Sequence, residues 1–309
     1  MKQRCGYVPI VGHPNVGKST LLNLLVGYKL SAIANKPQTT RTNLRGIVTG
    51  KYLAGDVAGG EEETHYQLII TDTPGIHQRS GSALNQVLNR EATAALEQAD
   101  AVVMIVEAGK WTGEDDLVLL RLREVTAPVF LLVNKIDKIP KKEVLLSYLQ
   151  EVSAKRNFEQ IFPVSATKKI NTDGFLHTLI GYLPESEFIY PEDYITDQPV
   201  KAICSELIRE QLVRYLHQEI PYTTAVDIEK FEETAKLTTI HATIWVGKKG
   251  QKGIVIGKKG ATLKRIGSSA RIALEEFLDT KVMLKLWVKV EENWQNNPKH
   301  LSDLGIVSH

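Results

Sequence analysis

A glycine-rich octapeptide near the start of the chain constrains its fold more than any other feature. Gly12-His13-Pro14-Asn15-Val16-Gly17-Lys18-Ser19 fits the pattern G-x-x-x-x-G-K-[ST], with Thr20 directly after it. It follows an apolar run typical of a strand and opens a helical stretch from Ser19 to Leu25. Backbone N–H groups in such a loop bind phosphate oxygens, Lys18 neutralises them, and Ser19 ligates Mg²⁺. The alternative, a glycine turn with a capping serine, does not explain the strand before it and the helix after it.

Around this loop, short apolar strands alternate with longer helical stretches from Tyr7 to about Leu183. Continuous apolar strands are typical of a mostly parallel α/β sheet with helices on both faces. Lys51 to His65 interrupts the alternation with three glycines and three consecutive glutamates, and we expect a solvated hairpin tip there. The predicted strands are 7–11, 67–70, 101–106, 129–133 and 161–164, and the later helices are 85–98, 114–123, 145–155 and 175–182.

Three more motifs come directly after predicted strands. In Asp72-Thr73-Pro74-Gly75, the aspartate can hold Mg²⁺ through water and the Gly75 amide can face a γ-phosphate. In Asn134-Lys135-Ile136-Asp137, the aspartate can pair with the N1–H and N2–H₂ groups of guanine, and the lysine stem can cover the base. Ser165-Ala166 can present a backbone N–H to guanine O6. Each motif alone also fits a turn or a helix cap. Four elements in chain order, each at a strand end, indicate a guanine-nucleotide site.

The loop from Asn35 to Thr42 supplies a candidate switch. A threonine there can add a hydroxyl to Mg²⁺ when the γ-phosphate holds the loop, and between the adjacent threonines we favour Thr40. For each residue of this loop, a plain polar surface loop remains the competing interpretation.

The position after the Asp-x-x-Gly turn predicts slow catalysis. Many GTPases place a water-orienting glutamine there, whereas this chain has Ile76, which cannot hydrogen-bond water. We therefore expect slow intrinsic turnover that needs another charge or a partner. Asn15 can offer an amide oxygen to K⁺ beside the phosphates, or it is simply a turn residue suited to left-handed geometry. The catalytic candidates are Lys18, Asn15, Thr40 and Gly75.

A second domain is predicted after a proline-containing linker at 184–199, so that the first domain spans 1–183, the second 200–290 and a tail 291–309. The second domain shows the order helix, strand, strand, helix, strand, which becomes α-β-β-α-α-β when both helices flanking Gly257 to Gly260 are counted. Within it, Gly257-Lys258-Lys259-Gly260 joins two helices, with Lys264 and Arg265 one turn further on. The glycines let a sugar–phosphate backbone approach closely and the lysines meet phosphates, so that such a loop clamps about four nucleotides.

Charge supports nucleic-acid binding once it is counted by segment. The net charge is only +2, but residues 246–274 hold eight Lys or Arg and no acid. A solvated basic helix face would explain the charge but not the glycine spacing, and we predict an RNA-binding, α+β KH domain of type II topology. With 43% hydrophobic and 24% charged residues the chain is no disordered protein, and no apolar run approaches the roughly 18 residues of a membrane span. Two distant cysteines, without metal-ligand spacing, suggest reduced thiols and a cytosolic protein.

Together these motifs resemble the Era family of bacterial GTPases over nearly the whole chain. The resemblance rests on residues 12–20, Gln-Thr-Thr-Arg at 38–41, Asp-Thr-Pro-Gly, Asn-Lys-Ile-Asp, Val-Ser-Ala at 164–166, residues 217–222 and the Gly-Lys-Lys-Gly loop. It departs at His13, where arginine is common, and in the long acidic stretch near 55–65.

The resemblance implies a GTPase that binds the 3′ end of 16S ribosomal RNA and assists maturation of the small ribosomal subunit. It implies GTP and GDP as ligands and a hydrophobic replacement for the catalytic glutamine, and it also implies peripheral contact with the inner membrane, for which the sequence holds no anchor. We expect a monomer. Two other classes stay open at this point: an RNA-binding protein with a purely structural nucleotide site, and a GTPase whose basic domain binds anionic membrane.

Overall fold

Six strands form the sheet of the first of the chain's two units in a computed structural model that describes residues 2–31, 44–55, 61–73, 83–216, 220 and 223–297. The strands are β1 (Lys2–Val11), β2 (Leu44–Gly55), β3 (Glu61–Asp72), β4 (Val102–Glu107), β5 (Val129–Asn134) and β6 (Gln160–Pro163). Their order in the sheet is β2-β3-β1-β4-β5-β6. Only β2 runs antiparallel to its neighbour within this sheet, so the predicted mostly parallel α/β arrangement is confirmed.

Helices cover both faces of this sheet. They are α1 (Lys18–Val26), α2 (Ala83–Glu97), α3 (Gly113–Arg121), α4 (Lys142–Ser153) and α5 (Thr172–Tyr182). Alternate residues of β5 face opposite sides: Leu131 belongs to the core that includes α3 and α4, whereas the Phe130 ring meets the Tyr182 ring of α5 at 5.1 Å. The inner strands β4 and β5 are therefore apolar along nearly their whole length, because both of their faces are buried. No helix among the residues described is long and apolar enough to cross a membrane.

The hairpin between β2 and β3 extends further than the sequence pattern predicts. Its antiparallel ladder runs from Leu44 opposite Asp72 to Gly55 opposite Glu61, so most of 51–65 is strand, and residues 56–60 lie outside the described part. Cross-strand contacts explain the extension: Lys51 pairs with Glu63 at 3.0 Å, and the Tyr52 ring meets the Tyr66 ring at 6.3 Å.

The second unit contains the predicted α-β-β-α-α-β order. Its elements are α6 (Val200–Tyr215), β7 (Thr224–Glu233), β8 (Leu237–Val246), α7 (Lys249–Ile256), α8 (Ala261–Leu278) and β9 (Lys281–Val290). The sheet order is β7-β8-β9, with β7 antiparallel and β9 parallel to β8. The helices pack on one face of the sheet, against the fully buried Ile240, Ala242 and Ile244 of β8. The type II KH topology is confirmed.

Two segments that the sequence presents as connections pack closely within their units. In the tail, Trp294 is buried and its indole N–H donates to the Thr223 carbonyl at 3.0 Å. In the predicted linker, the Pro184 carbonyl accepts from the Cys5 amide, and the Ile195 carbonyl accepts from the Ile47 amide at 2.9 Å. Residues 184–195 therefore run across the first sheet from β1 to β2, while the domain limits themselves stay a prediction.

Gln67 of β3 anchors the middle of this crossing. Its buried side-chain oxygen accepts from the amides of Ile189 and Tyr190 at 3.0 and 2.9 Å, and its side-chain nitrogen donates to the Tyr190 carbonyl at 2.8 Å. One side chain thus satisfies three backbone groups, a role that an apolar residue cannot fill.

Replacing Gln67 with Leu will leave those backbone groups without their partner and lower the free energy of unfolding of the first domain by about 2–3 kcal/mol. Urea unfolding measures the loss, and limited proteolysis will show faster cleavage within 184–197. Gln150→Leu, at an exposed position of α4, is the matched control and will change neither. Equal stability of the two variants would contradict the anchoring role.

Candidate nucleotide and RNA sites

The predicted nucleotide motifs meet at one edge of the parallel sheet. β1 ends at Val11 directly before the glycine-rich loop, β3 ends at Asp72, and β5 ends at Asn134. Carboxyl ends of parallel strands share one edge, where ligands bind in open α/β sheets. Thr40, Pro74, Gly75 and Ile76 lie outside the described residues, and their predicted roles are untested by this geometry.

Lys18 is held inside the glycine-rich loop. The residue is 7% exposed, and its ammonium donates to the carbonyls of Gly12 and His13 at 2.9 and 3.0 Å. Burial lowers the pKa of Lys18, and the negative charges of Asp72 and Asp115 oppose that shift. A desolvated ammonium in a loop of backbone amides is a strong partner for phosphate oxygens, since these carry the compensating charge.

Ser19 and Asp72 provide adjacent oxygen ligands. The Ser19 hydroxyl donates to Asp72 Oδ2 at 2.6 Å, and Asp72 is fully buried at the end of β3. A hydroxyl and a carboxylate are oxygen donors of the kind that Mg²⁺ prefers, so this pair fits the predicted metal role. Next to them Thr73 is buried, and its hydroxyl donates to the Ile10 carbonyl at 2.8 Å, which fixes the start of the Asp-Thr-Pro-Gly motif on β1.

The carboxamide of Asn134 joins two of the motifs. Its Nδ2 donates to the Val16 carbonyl at 2.8 Å, and its Oδ1 accepts from the Ala166 amide at 3.0 Å. Gly17 makes this contact possible: its φ is 113°, and a Cβ there would lie 2.3 Å from Asn134 Nδ2. The glycine of the phosphate loop is thus required by the base-recognition motif as well.

Asp137 is exposed, which its predicted role in base recognition requires, and it accepts a hydrogen bond from the Ser165 hydroxyl. Ser165 is itself buried and also accepts from the Lys168 amide at 3.2 Å. Ile136 is tied to the same loop, since its amide donates to the Val164 carbonyl at 3.3 Å. The two base-binding motifs therefore form one surface.

Lys135 links the glycine-rich loop to Glu107, a residue that the motifs do not include. Its Nζ donates to the Asn15 carbonyl and to Glu107 Oε2, both at 2.6 Å. Partial burial raises the pKa of Glu107, but the bond and charge of Lys135 outweigh it and leave that pKa below its ordinary value. The available sequence signal was a single acid directly after the predicted 101–106 strand.

The side chain of His13 packs against the beginning of α3. Its Nδ1 donates to the Pro14 carbonyl at 2.7 Å, and its Nε2 lies 3.8 Å from Oδ1 of Asp115. Asp115 is fully buried and caps α3 through Thr112, and burial raises its pKa. Only the carbonyl of His13 serves Lys18 here. No local sequence pattern pairs residue 13 with residue 115, because their contact depends on the packed fold.

Asn15 is exposed and left-handed, with φ of 66°. This conformation agrees with the turn-residue interpretation and leaves its amide oxygen accessible to solvent. The K⁺ role of Asn15 stays a prediction.

The Gly257–Gly260 turn opens onto a groove in the second unit. Lys258 and Lys259 are exposed, and a groove of about 430 Å³ begins at Gly260. Its lining combines basic and apolar side chains from α8 and β9: Leu263, Lys264, Arg271, Leu284 and Leu286. Predicted Lys264 belongs to this lining, as does Arg271, which the predicted site omitted. Predicted Arg265 instead lies over the ring of Tyr215 at 4.5 Å, on the side of α6.

Comparison with known proteins finds the same two domains. Residues 7–135 match the family described as 50S ribosome-binding GTPase, and residues 219–295 match the KH domain. The chain is 44% identical to GTPase Era of Stenotrophomonas maltophilia over 97% of both chains, and 45% identical to GTPase Era of Pseudomonas putida over 98% of this chain and 96% of that one.

Two solved structures align over 99% of this chain and 100% of theirs at 35% identity. One is a point variant of Era from Aquifex aeolicus bound to GDP and AlF₄⁻, with a TM-score of 0.89. The other is Era in complex with MgGDPNP and nucleotides 1506–1542 of 16S ribosomal RNA, with a TM-score of 0.90.

Replacing Gly17 with Ala will weaken nucleotide binding by about tenfold or more, because the added methyl displaces Asn134 and the backbone there is left-handed, at a cost of about 1–3 kcal/mol. Titration with a fluorescent guanine nucleotide measures the loss. Gly181→Ala in α5, where a Cβ meets no atom within 4 Å, is the control and will bind normally. Normal nucleotide affinity of the Gly17 variant would show that the Asn134 contact is dispensable.

Proposed function

This chain belongs to the Era family of GTPases, and we propose that it is a GTP-hydrolysing switch that binds the 3′ end of 16S ribosomal RNA through its KH domain and assists maturation of the small ribosomal subunit. One observation carries the proposal: a relative that aligns over 99% of this chain holds both a GTP analogue and a 16S fragment. In this chain, the nucleotide motifs at the edge of the first sheet are followed along the sequence by the groove beside the Gly257–Gly260 turn.

The nucleotide chemistry follows from the residues at the sheet edge. Lys18 neutralises charge on the β- and γ-phosphate oxygens, and the Gly75 amide faces the γ-phosphate. Asp137 selects guanine through its two donors, while Lys135 covers the base. Water attacks the γ-phosphorus, and GDP and phosphate leave. Because Ile76 cannot orient that water, intrinsic turnover is slow.

Ser19, Asp72 and Thr40 are the proposed holders of Mg²⁺. The bonded Ser19–Asp72 pair at 2.6 Å supports the first two. When bound, Mg²⁺ would supply positive charge that offsets the charge of the phosphate oxygens. The exposed amide of Asn15 is the proposed ligand of K⁺, and equal turnover in Na⁺ and K⁺ would exclude that role.

Of the two ribosomal subunits, the small subunit is the better supported partner. The description 50S ribosome-binding GTPase applies to a match over residues 7–135 alone, without the KH domain. The relative with the 16S fragment aligns over 99% of this chain, which also contains the groove lined by Lys264 and Arg271. Small-subunit ribosomal RNA is therefore the proposed ligand of the groove. The cytoplasm is the proposed site of action.

Switching is proposed to couple the two domains. GTP orders the 35–45 loop and the segment after Gly75, which changes how the KH domain is presented to RNA, and hydrolysis then releases the complex. A monomeric state and peripheral contact with the inner membrane remain predictions from the family.

Lys18→Ala will abolish GTP turnover, because the variant lacks the cation that neutralises phosphate charge in the desolvated loop. Phosphate release measures the effect, and circular dichroism checks that the nucleotide-free variant folds. RNA affinity without nucleotide will be unchanged. Turnover equal to the parent protein would remove Lys18 from the mechanism, and absence of turnover in the parent protein would favour a structural nucleotide site.

Lys258→Asp with Lys259→Asp will lower affinity for the 1506–1542 fragment of 16S ribosomal RNA by about tenfold or more and reduce its salt dependence, since both phosphate-facing charges are reversed. Lys141→Asp with Lys142→Asp, at two exposed positions where α4 begins, makes the same charge change in the first unit and is the control. Retained RNA affinity, together with lost binding to anionic vesicles, would favour the membrane alternative.

A further inference from the structure

Among the residues that the structure describes, no helix packs on one face of the second unit's sheet. Since α6, α7 and α8 pack on one side, alternate residues of the edge strand β9 face solvent on the other. These outward residues are Lys281, Met283, Lys285, Trp287 and Lys289, and all five are exposed. Trp287 is 43% exposed and Met283 39%, so two large apolar side chains lie on the same open face among the lysines.

His241 of β8 packs against this tryptophan without covering it, and a second β8–β9 pair, Trp245 with Lys289, lies nearby on the same face. The His241 ring meets the Trp287 ring edge to face at 5.2 Å, and the Lys289 ammonium lies 5.4 Å from the centre of the Trp245 ring. An aromatic side chain oriented by its neighbours and still open to solvent can stack on a flat ligand at little entropic cost.

Charge on this open face is unevenly distributed. β9 has three lysines and no acid, whereas β7 at the opposite edge contributes Glu229 and Glu232 together with one lysine, Lys230, which pairs with Glu232 at 2.9 Å. Lys289 pairs with Glu229 at 2.8 Å. Lys281 and Lys285 form no ion pair with any residue that the structure describes. The free edge is thus basic and the far edge acidic, which suits a polyanion lying along β9 and disfavours one lying across the whole sheet.

The open face also borders the RNA groove. β9 contributes Leu284 and Leu286 to the groove from its helix side, and Lys285 and Trp287 occur at alternating positions on its other side. β9 is the last strand of its sheet, so no further strand separates the two surfaces. A nucleic-acid chain that leaves the groove past this edge meets the open face next.

We propose that the outer side of β9 is a second RNA-binding surface, which takes the single-stranded segment adjoining the one clamped at Gly257–Gly260. A base stacks on the exposed face of Trp287, and phosphates meet Lys281 and Lys285. The proposal rests on the proposed RNA function of the KH groove and enlarges its footprint. Single-stranded RNA is favoured because stacking needs an unpaired base, and because stacking with lysine contacts tolerates many sequences.

The test compares Trp287→Ala and Lys285→Glu with the parent protein. The probe is the 1506–1542 fragment of 16S ribosomal RNA, and the readouts are affinity, salt dependence and ultraviolet crosslinking to the peptide 281–289. We expect each variant to bind about five- to thirtyfold more weakly, and the charge reversal to lower the salt slope by about one. Lys230→Glu, a charge reversal at the far edge on β7, is the control and will bind normally.

The groove variant separates this proposal from the function on which it rests. If reversal of Lys258 and Lys259 weakens RNA binding but both β9 variants bind normally without crosslinks to 281–289, the second surface is overturned and the groove remains. If none of these variants weakens binding, both proposals fail. Vesicles of phosphatidylglycerol and phosphatidylethanolamine provide the rival ligand. Vesicle binding lost in Trp287→Ala, with RNA affinity intact, would assign the face to membrane and overturn the proposal.

Discussion

The buried carboxamide of Asn134 is the interaction on which the nucleotide edge depends. It donates to the Val16 carbonyl in the phosphate loop at 2.8 Å and accepts from the Ala166 amide in the base loop at 3.0 Å. Only a side chain with a donor and an acceptor at one end can do both, and loss of either bond buries an unsatisfied group at about 1–3 kcal/mol. The glycine-rich loop and the Ser165-Ala166 loop are therefore held together by one side chain.

Around Asn134, the parallel strands place the nucleotide motifs at one edge of the sheet, where several of their side chains are buried away from water. Lys18 is held by two backbone carbonyls, and Ser19 bonds to Asp72 at 2.6 Å. The second unit differs in that its cations are exposed: it has surface lysines, a turn with two glycines and an open groove. The buried loop of the first unit suits a small polyanion, and the open groove of the second suits a long one. In both units, cationic side chains are placed where they can contact phosphate.

The sequence predicts what is local and misses what depends on packing. Strand ends, the phosphate loop, Asp72, Asn134 and the Gly-Lys-Lys-Gly turn follow from short motifs, and the order of elements in both domains is confirmed. Three contacts could not be predicted, because their partners lie far apart in the chain and share no pattern. They are Lys135 with Glu107, His13 with Asp115, and Arg265 with Tyr215. The crossing of 184–195 over the first sheet depends in the same way on Gln67, which looks like an ordinary strand residue.

The central claim is that nucleotide state at the Asn134 edge controls RNA binding by the KH domain. Its most direct test is the affinity of the full chain for the 1506–1542 fragment of 16S ribosomal RNA, measured with GDP and with a non-hydrolysable GTP analogue. A switch predicts affinities that differ by about fivefold or more, since coupling free energies are typically about 1–3 kcal/mol. Lys258→Asp with Lys259→Asp should weaken binding in both states. Equal affinities of the parent protein in the two nucleotide states would contradict the coupling.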